Sequence, residues 1–276
     1  MNWTNIFRQK LMTAEEAVKL VKSGDRIYVH PGCAEPEILV QALLKRADEL
    51  RNVELVHLLT LGTADYVRPE YQGHFRHNAL FIGTNVREAV VAGRADFIPI
   101  FLSEIEGLFT SGAMPLDVAF VQLSPPDEHG YMSLGVGVDC TLTAARCGRQ
   151  VIAEVNQQMP RALGDSFLHV SKLTAIVETS RPLVELQPVP FTELQRQIAM
   201  NVASLIIDGA TLQTGVGGIP DAVLSSLKDR RDLGIHSEMI SEGVIPLIEA
   251  GVINGEKKTL HRGKVVAGFV LGTERL

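Results

Sequence analysis

The sequence has few aromatic side chains, few cysteines and no long apolar run. Aromatic residues make up 5% of the 276 positions, too few for the stacked aromatic surfaces that hold single-stranded nucleic acid. The three cysteines, Cys33, Cys140 and Cys147, are odd in number and lack metal-ligand spacing. That pattern is typical of reduced thiols in a cytoplasm. Because no run of about eighteen apolar residues occurs, the sequence predicts no membrane helix.

An excess of positive charge is also missing, since the net charge is −6. There is therefore no electrostatic reason to expect nucleic acid or an anionic membrane as a partner. The amino-terminal residues lack the basic region and apolar core of a secretory signal peptide. Gly-x-Ser-x-Gly and a Walker-type Gly-Lys-Ser/Thr are both absent, which argues against a serine hydrolase and a P-loop protein. The sequence predicts a cytoplasmic globular protein.

What is present is an alternation of strand and helix patterns, which predicts an α/β fold with a mostly parallel sheet. Thr13 and Glu16 have the spacing of a capping box and predict a helix start. Pro36 begins a second predicted helix that runs to about Leu50. Further helices are predicted near 86–92 and at 141–147. The predicted strands are 26–30, 53–61, 79–82, 117–123, 150–155 and 173–177.

The segment 180–190 contains three prolines and little periodicity, and it predicts a linker between domains 1–185 and 186–276. After it the pattern starts again: Gly24 and Gly32 correspond to Gly209 and Gly217 at one constant offset. We interpret this as a weak duplication that gives two related open α/β domains. The second domain has about half the length of the first, so the repeat predicts that it is incomplete.

A glycine turn lies between a predicted strand and a predicted helix of the second domain. It comprises Gly215, Val216, Gly217, Gly218 and Ile219, and Pro220 is expected to open the helix. Glycine permits positive φ and close backbone approach, and free amides at a helix start bind anions. The alternative is a tight connection without a ligand. The spacing does not match the dinucleotide-binding fingerprint.

Glu238 follows about twenty residues later, just past a predicted strand at 233–236. Ligands of open α/β sheets bind beyond the carboxyl ends of the strands, so the glycine turn and Glu238 are expected to face one crevice. A carboxylate there serves as a general base or as a nucleophile, unless it is only an exposed strand-end glutamate. His236 lies on the same face, either orienting the carboxylate or filling the core. The pair lacks a third ligand, so no metal site is predicted.

Two loops at predicted strand ends offer further candidates. The loop 124–131 holds Asp127, Glu128 and His129 together, either for function or only to shape the turn. The strand exit at 154–161 presents Asn156 and Arg161, which are able to meet an anion.

Four segments, taken in order along the chain, resemble the acetyl-CoA hydrolase/transferase family, in particular its 4-hydroxybutyrate, butyrate and acetate coenzyme A transferases. They are Ser124-Pro125-Pro126-Asp127-x-His129-Gly130-Tyr131, Glu154-Val155-Asn156-x-x-Met159-Pro160-Arg161, Gln213-x-Gly215-x-Gly217-x-Ile219-Pro220-Asp221-Ala222-Val223 and His236-Ser237-Glu238-Met239. The resemblance implies the two-domain CoA-transferase fold, Glu238 as the catalytic glutamate and the turn Gly215–Ile219 as a coenzyme A contact. It also implies acyl-CoA and small carboxylates as substrates in short-chain fatty acid metabolism, with no permanently bound cofactor and no metal.

The implied reaction is ping-pong transfer through a glutamyl-CoA thioester. Family members continue beyond the equivalent of Leu276, so the resemblance implies that the end of the second domain is lacking. We therefore expect a homo-oligomer, or association through the incomplete domain. The alternatives are an acyl-CoA hydrolase, a non-catalytic fragment or subunit that needs its missing half and, more distantly, a sugar-phosphate isomerase on a similar scaffold.

Overall fold

The computed structural model describes residues 2–276, and the chain divides into two compact units. The first unit ends at Val184, and the second comprises Glu185–Leu276. Each unit contains a parallel sheet and has an apolar core of its own. Residues 2–276 contain no helix with the length and apolar character that a membrane crossing requires.

The first unit is built on a seven-stranded parallel sheet with the strand order β4-β3-β2-β1-β5-β7-β9. A short antiparallel pair, β6 and β8, stands apart from it. The strands are β1 (Arg26–Val29), β2 (Val53–His57), β3 (Phe75–Ala79), β4 (Ala95–Phe97), β5 (Val118–Leu123), β6 (Tyr131–Ser133), β7 (Gln150–Asn156), β8 (Phe167–His169) and β9 (Ala175–Thr179).

Helices and short 3₁₀ turns connect these strands. The helices are α1 (Trp3–Lys10), α2 (Ala14–Ala17), α3 (Glu37–Leu44), α4 (Thr84–Val91), α5 (Leu102–Thr110) and α6 (Thr141–Cys147). The sheet separates two apolar clusters, and successive residues of β1 alternate between them, with Tyr28 in one and Ile27 and Val29 in the other. A sheet covered on both faces explains why all six residues of β5 are buried.

The parallel sheet with intervening helices is confirmed, and α6 occupies the predicted residues. The capping box is also present, because the Thr13 and Glu16 side chains each bond to the other residue's amide. Two predicted boundaries are wrong. The helix after Pro36 ends at Leu44, with a separate 3₁₀ turn at Ala47–Glu49, and β2 ends at His57 instead of continuing to 61.

The strand predicted at 79–82 is in fact β3, Phe75–Ala79. The strand was not predicted at these residues because three of its five side chains, Arg76, His77 and Asn78, are polar and do not form an apolar run. Arg76 pairs with Asp96 of β4, and Asn78 donates a hydrogen bond to Glu54 of β2. Polar side chains of β3 therefore have partners on both neighbouring strands, which makes a polar stretch compatible with a position between β4 and β2.

The second unit has a three-stranded parallel sheet in the order β10-β11-β12. Its core contains Leu224, Leu227, Leu233, Ile235 and Leu247. The elements are α7 (Glu193–Leu205), β10 (Thr211–Leu212), α8 (Gly218–Ser225), β11 (Gly234–Ser241), α9 (Ile245–Glu249) and β12 (Val266–Leu271).

Two expectations about the second unit are corrected. Because β11 extends to Ser241, Glu238 lies within the strand and not past its end. The continuation depends on β12, which pairs with Met239 and Ile240 through Phe269 and Val270. Pro220 is the third residue of α8 and not the first, since the helix begins at Gly218.

The repeated openings share backbone geometry as well as glycines. Gly24 and Gly209 have φ of 82° and 77°, and their amides donate to the carbonyls of Arg51 and Arg231, each at 2.9 Å. Asn52 and Asp232, which follow those carbonyls, both adopt left-handed backbone, with φ of 54° and 55°. The same local turn therefore precedes β2 in the first unit and β11 in the second.

Candidate active site

Glu238 is exposed in the middle of β11, between two buried neighbours, Ser237 and Met239. Side chains on a strand alternate between faces, so burial of the two neighbours directs Glu238 away from the core. The strand gives Glu238 a rigid backbone while its carboxylate remains accessible.

Both neighbours of Glu238 are tied to Thr214, the residue just before the glycine turn. The Thr214 amide donates to Ser237 Oγ at 2.9 Å, and Ser237 Oγ donates to the Thr214 carbonyl at 3.0 Å. Thr214 Oγ1 donates to the Met239 carbonyl at 3.2 Å. These three bonds fix the start of the turn beside Glu238, so the structure brings the two predicted features together.

The residues of the turn differ in their surroundings. Gly217 has φ of 122°, and a Cβ built there would have no atom within 4 Å, so this position borders open space. Gly218 instead packs against Gln195 of α7, where a Cβ would lie 2.7 Å from the amide nitrogen. Gly218 and Ile219 are the first two residues of α8, where backbone amides have no intrahelical acceptor.

The side chains of the turn form a small apolar surface. Val216 is 54% exposed and Ile219 is 41% exposed. A Cβ built on Gly215 would lie 3.8 Å from Cγ of the Pro220 ring. The turn thus combines amide donors, open space at Gly217 and exposed apolar groups.

On the opposite side of β11, Gly268 of β12 faces the backbone of Glu238. A Cβ at Gly268 would lie 2.9 Å from the Glu238 carbonyl oxygen. A residue without a side chain is therefore required for β12 to pair with β11 at this point. Sequence reasoning did not single out Gly268, because its role depends on which strand lies beside Glu238.

His236 is exposed on the same face as Glu238, so the interpretation as a core histidine is wrong. Its ring meets the ring of His261 edge-on, with centroids 6.1 Å apart. Among residues 2–276, no group of three or more histidine, cysteine, aspartate or glutamate side chains is arranged to hold a metal ion.

The loop 124–131 of the first unit is held by Asp127. Its carboxylate accepts the amides of His129 and Tyr131, each at 2.9 Å, and Arg161 Nη2 at 2.6 Å. Desolvation opposes ionisation, but these donors outweigh it and keep the pKa of Asp127 below its usual value. Asp127 and Arg161 shape this loop and satisfy each other.

Asn156 is fully buried and donates to Gln122 Oε1 at 2.8 Å and to the Arg181 carbonyl at 2.9 Å. Asn156 and Arg161, which were predicted to be able to meet an anion, both make hydrogen bonds within the unit. Glu154 is likewise buried against Arg181, whose Nε lies 2.7 Å from its carboxylate.

A buried polar cluster escaped sequence reasoning. Glu35 is 2% exposed and accepts the Gly62 amide at 2.8 Å, and burial raises its pKa to about 7. His57 Nε2 lies 2.6 Å from the hydroxyl of Tyr66, and the His57 and His77 rings stack with centroids 4.1 Å apart. The sequence does show these residues as polar positions inside apolar segments. Their contacts could not be predicted from it, because the partners are distant along the chain.

The family model described as the acetyl-CoA hydrolase/transferase N-terminal domain matches residues 1–188. The chain is 51% identical, over its whole length, to 4-hydroxybutyrate coenzyme A transferase of Clostridium kluyveri, and it spans 64% of that relative. It is 33% identical to the butyryl-CoA:acetate CoA-transferase of Anaerostipes caccae and again spans 64% of that relative.

A solved structure shows the same fold. The 4-hydroxybutyrate CoA-transferase of Porphyromonas gingivalis matches the whole chain with a TM-score of 0.88 and 40% identity, and the match covers 66% of that structure. The chain therefore spans slightly less than two thirds of the length of these relatives.

Proposed function

The chain belongs to the acetyl-CoA hydrolase/transferase family, and we propose that it acts in coenzyme A transfer between an acyl-CoA and a small carboxylate. Relatives named for 4-hydroxybutyrate and for butyryl-CoA and acetate support short-chain acids as the substrate class. The observation that carries the proposal is the placement of Glu238. It is the exposed residue between two strand neighbours that are both bonded to the start of the glycine turn.

Glu238 is the nucleophile in this proposal. A catalytic carboxylate must reach the substrate while its backbone stays fixed, because a small displacement of the attacking atom costs much of the rate. Ser237 and Met239 supply that fixation from both sides. A general base is the other role open to such a carboxylate, and it leads to hydrolysis by water.

In the first half-reaction, Glu238 attacks the thioester carbonyl carbon, and the coenzyme A thiolate leaves. The product is a mixed anhydride between the acyl group and the Glu238 side chain. The thiolate then attacks the glutamyl carbonyl and expels the first carboxylate, which leaves a glutamyl-CoA thioester. A second carboxylate reverses these steps with its own acyl group, so no water is consumed and no net proton is transferred.

The turn Gly215–Ile219 is assigned to coenzyme A. The open space at Gly217 permits a ligand to approach the backbone closely. Val216 and Ile219 offer apolar contact for the hydrocarbon portions of the pantetheine arm. The amides of Gly218 and Ile219, at the helix start, are suitable donors to an oxyanion.

The test compares matched glutamate variants in a transfer assay. Because the chain spans 64% of its Clostridium kluyveri relative, the assay uses a protein extended to the relatives' full length. Glu238→Gln should abolish transfer, and Glu238→Asp should lower the rate on the order of a hundredfold by withdrawing the carboxylate about one bond length. Glu178→Gln, at an exposed strand position in β9, is the control and should transfer normally.

Substantial transfer by the Glu238→Gln protein would rule out this nucleophile. Acyl-CoA hydrolysis is the second candidate, because solvent exposure of Glu238 admits water to the site. The two functions separate when acyl-CoA loss is followed with and without acetate. A transferase requires the acceptor, whereas a hydrolase consumes acyl-CoA at the same rate without it.

A further inference from the structure

A cavity of about 250 Å³ lies in the first unit, at the edge of the sheet where β2, β3 and β4 begin. Asn52 directly precedes β2, Gly73 lies just before β3, and Arg94 directly precedes β4. Ligands of open α/β sheets bind beyond the carboxyl ends of the strands. This cavity is at the opposite edge of the first unit's sheet, and its lining includes none of the residues proposed for the site around Glu238.

Three arginines line the cavity, and two of them are neutralised. Arg76 forms a two-pronged pair with Asp96, including a contact of 2.5 Å from Nη2 to Oδ1. Arg68 pairs with Asp65 at 2.7 Å. Each of these ion pairs fixes a guanidinium on the cavity wall without adding net charge.

Arg94 is different, because it has no carboxylate partner among residues 2–276. Its Nε donates to the Val67 carbonyl at 3.3 Å, and this bond orients the guanidinium. The side chain is half-buried at the cavity wall. A guanidinium held by Nε alone keeps its two terminal nitrogens for a planar, two-pronged contact with an oxyanion.

The remaining wall combines amide groups with apolar surface. Asn52 and Gln72 contribute side-chain amides, and the buried rings of Tyr66 and Phe75 limit the volume. The space is below the range of roughly 300–1,000 Å³ typical of drug-sized ligands. A tetrahedral oxyanion fits this volume, whereas a nucleotide would extend beyond it.

We propose that this cavity, the arginine cavity, binds inorganic phosphate or the phosphate group of a small monoester, with Arg94 as the principal ligand. Arg68 and Arg76 contribute their remaining N–H groups, and Gln72 provides a neutral donor. The proposal does not rest on the chemistry assigned to Glu238. Occupancy would join the starts of three strands through one anion, and it would stabilise the first unit.

Isothermal titration of the intact chain with inorganic phosphate at low ionic strength tests the proposal. The wild-type chain should bind one phosphate saturably. Arg94→Gln should raise the Kd for phosphate by about ten- to a hundredfold, because losing a hydrogen bond to a charged group weakens binding by about that factor. Arg87→Gln removes an exposed arginine of α4 outside the cavity and should bind as the wild type does.

A second cavity variant tests the proposal even if Arg94→Gln fails to fold. Gln72 is exposed, so Gln72→Glu should fold normally and weaken phosphate binding through repulsion. Absence of saturable binding by the wild type would overturn the proposal, as would unchanged binding by both cavity variants. Coenzyme A also carries phosphate groups, so the transfer assay is repeated with Arg94→Gln. A raised KM for acyl-CoA would assign the cavity to that substrate and overturn the proposal of a separate site.

Discussion

Ser237 makes two of the three hydrogen bonds that join the strand carrying Glu238 to Thr214, at the start of the glycine turn. Its hydroxyl accepts the Thr214 amide and donates to the Thr214 carbonyl. Ser237→Ala removes both bonds and leaves the amide and the carbonyl of half-buried Thr214 without these partners, at a cost of about 1–3 kcal/mol. We expect a lower midpoint of unfolding and a reduced kcat, with little change in KM for the carboxylate acceptor.

Ser225→Ala is a suitable control, because the Ser225 hydroxyl donates only to the Ala222 carbonyl within α8. Urea unfolding and steady-state kinetics on the two variants separate a local effect from a general one. Normal kcat in a folded Ser237→Ala protein would contradict the role of this bond in positioning Glu238.

Glu35 makes the stability of the first unit depend on pH. Burial raises its pKa from 4.5 to about 7, Glu37 adds to the rise, and the Gly62 amide and Arg181 oppose it. The folded state thus binds the proton more tightly than the unfolded state. The stabilisation is fully present below the unfolded pKa of 4.5 and is lost as the pH rises through about 7.

Glu35→Gln should remove this dependence while keeping an acceptor for the Gly62 amide. Between about pH 5 and about pH 8, the wild type should lose a few kcal/mol of unfolding free energy relative to the variant. Urea unfolding at both pH values measures the difference. Parallel profiles for the two proteins would show that Glu35 is not the responsible group.

At the scale of elements, the turn between β10 and α8 is the part that we propose contacts coenzyme A. Gly217 has φ of 122° and no atom within 4 Å of a built Cβ. Gly24 is a matched control, since it also has positive φ, 82°, and open space around it. Alanine at either site should cost about 1–3 kcal/mol through backbone strain, because both glycines adopt positive φ.

Only Gly217→Ala should also raise the KM for acyl-CoA, because only that glycine borders the proposed coenzyme A contact. Thermal unfolding and kinetics are measured on both variants. If both proteins lose stability equally and keep the wild-type KM, the turn is structural and does not contact the substrate.

The elements predicted accurately from the sequence are those whose pattern lies within a few consecutive residues. α6 and β5 are continuous and mostly apolar, and the Thr13 capping box depends on residues three apart. The polar strand β3 and the second half of β11 depend on neighbouring strands, so their bounds were predicted wrongly.

The same distinction applies to the site. Residue types and strand–turn–helix order predicted that the glycine turn and Glu238 lie together. The bonds that fix them, between Thr214 and Ser237, and the close approach of Gly268 are long-range and became visible only in the fold. Paired charges such as Asp127 and Arg161 could not be recognised as satisfied from the sequence, because their separation along the chain conceals the contact.

At the scale of the whole molecule, the second unit presents surfaces suited to association. β12 is an edge strand, and unpaired edges offer hydrogen-bonding groups to another chain. Leu194, Met200 and Leu205 of α7 are all exposed, and exposed apolar groups favour contact between molecules. We expect this 276-residue chain to self-associate, with a sedimentation coefficient that rises with concentration.

Replacing Leu194 and Leu205 by lysine should shift the equilibrium toward monomer. Replacing Val91 of α4, an exposed apolar residue of the first unit, by lysine is the matched control. A concentration-independent monomer for the unmodified chain would contradict this expectation.

The most direct test of the central claim is to trap the covalent intermediate. The protein extended to the relatives' full length is incubated with acyl-CoA in the absence of an acceptor, digested and analysed by mass spectrometry. The account predicts coenzyme A attached through a thioester to the peptide that contains Glu238, and no adduct in the Glu238→Gln protein. Turnover with coenzyme A attached to a different residue, or with no covalent adduct under conditions that stabilise thioesters, would contradict it.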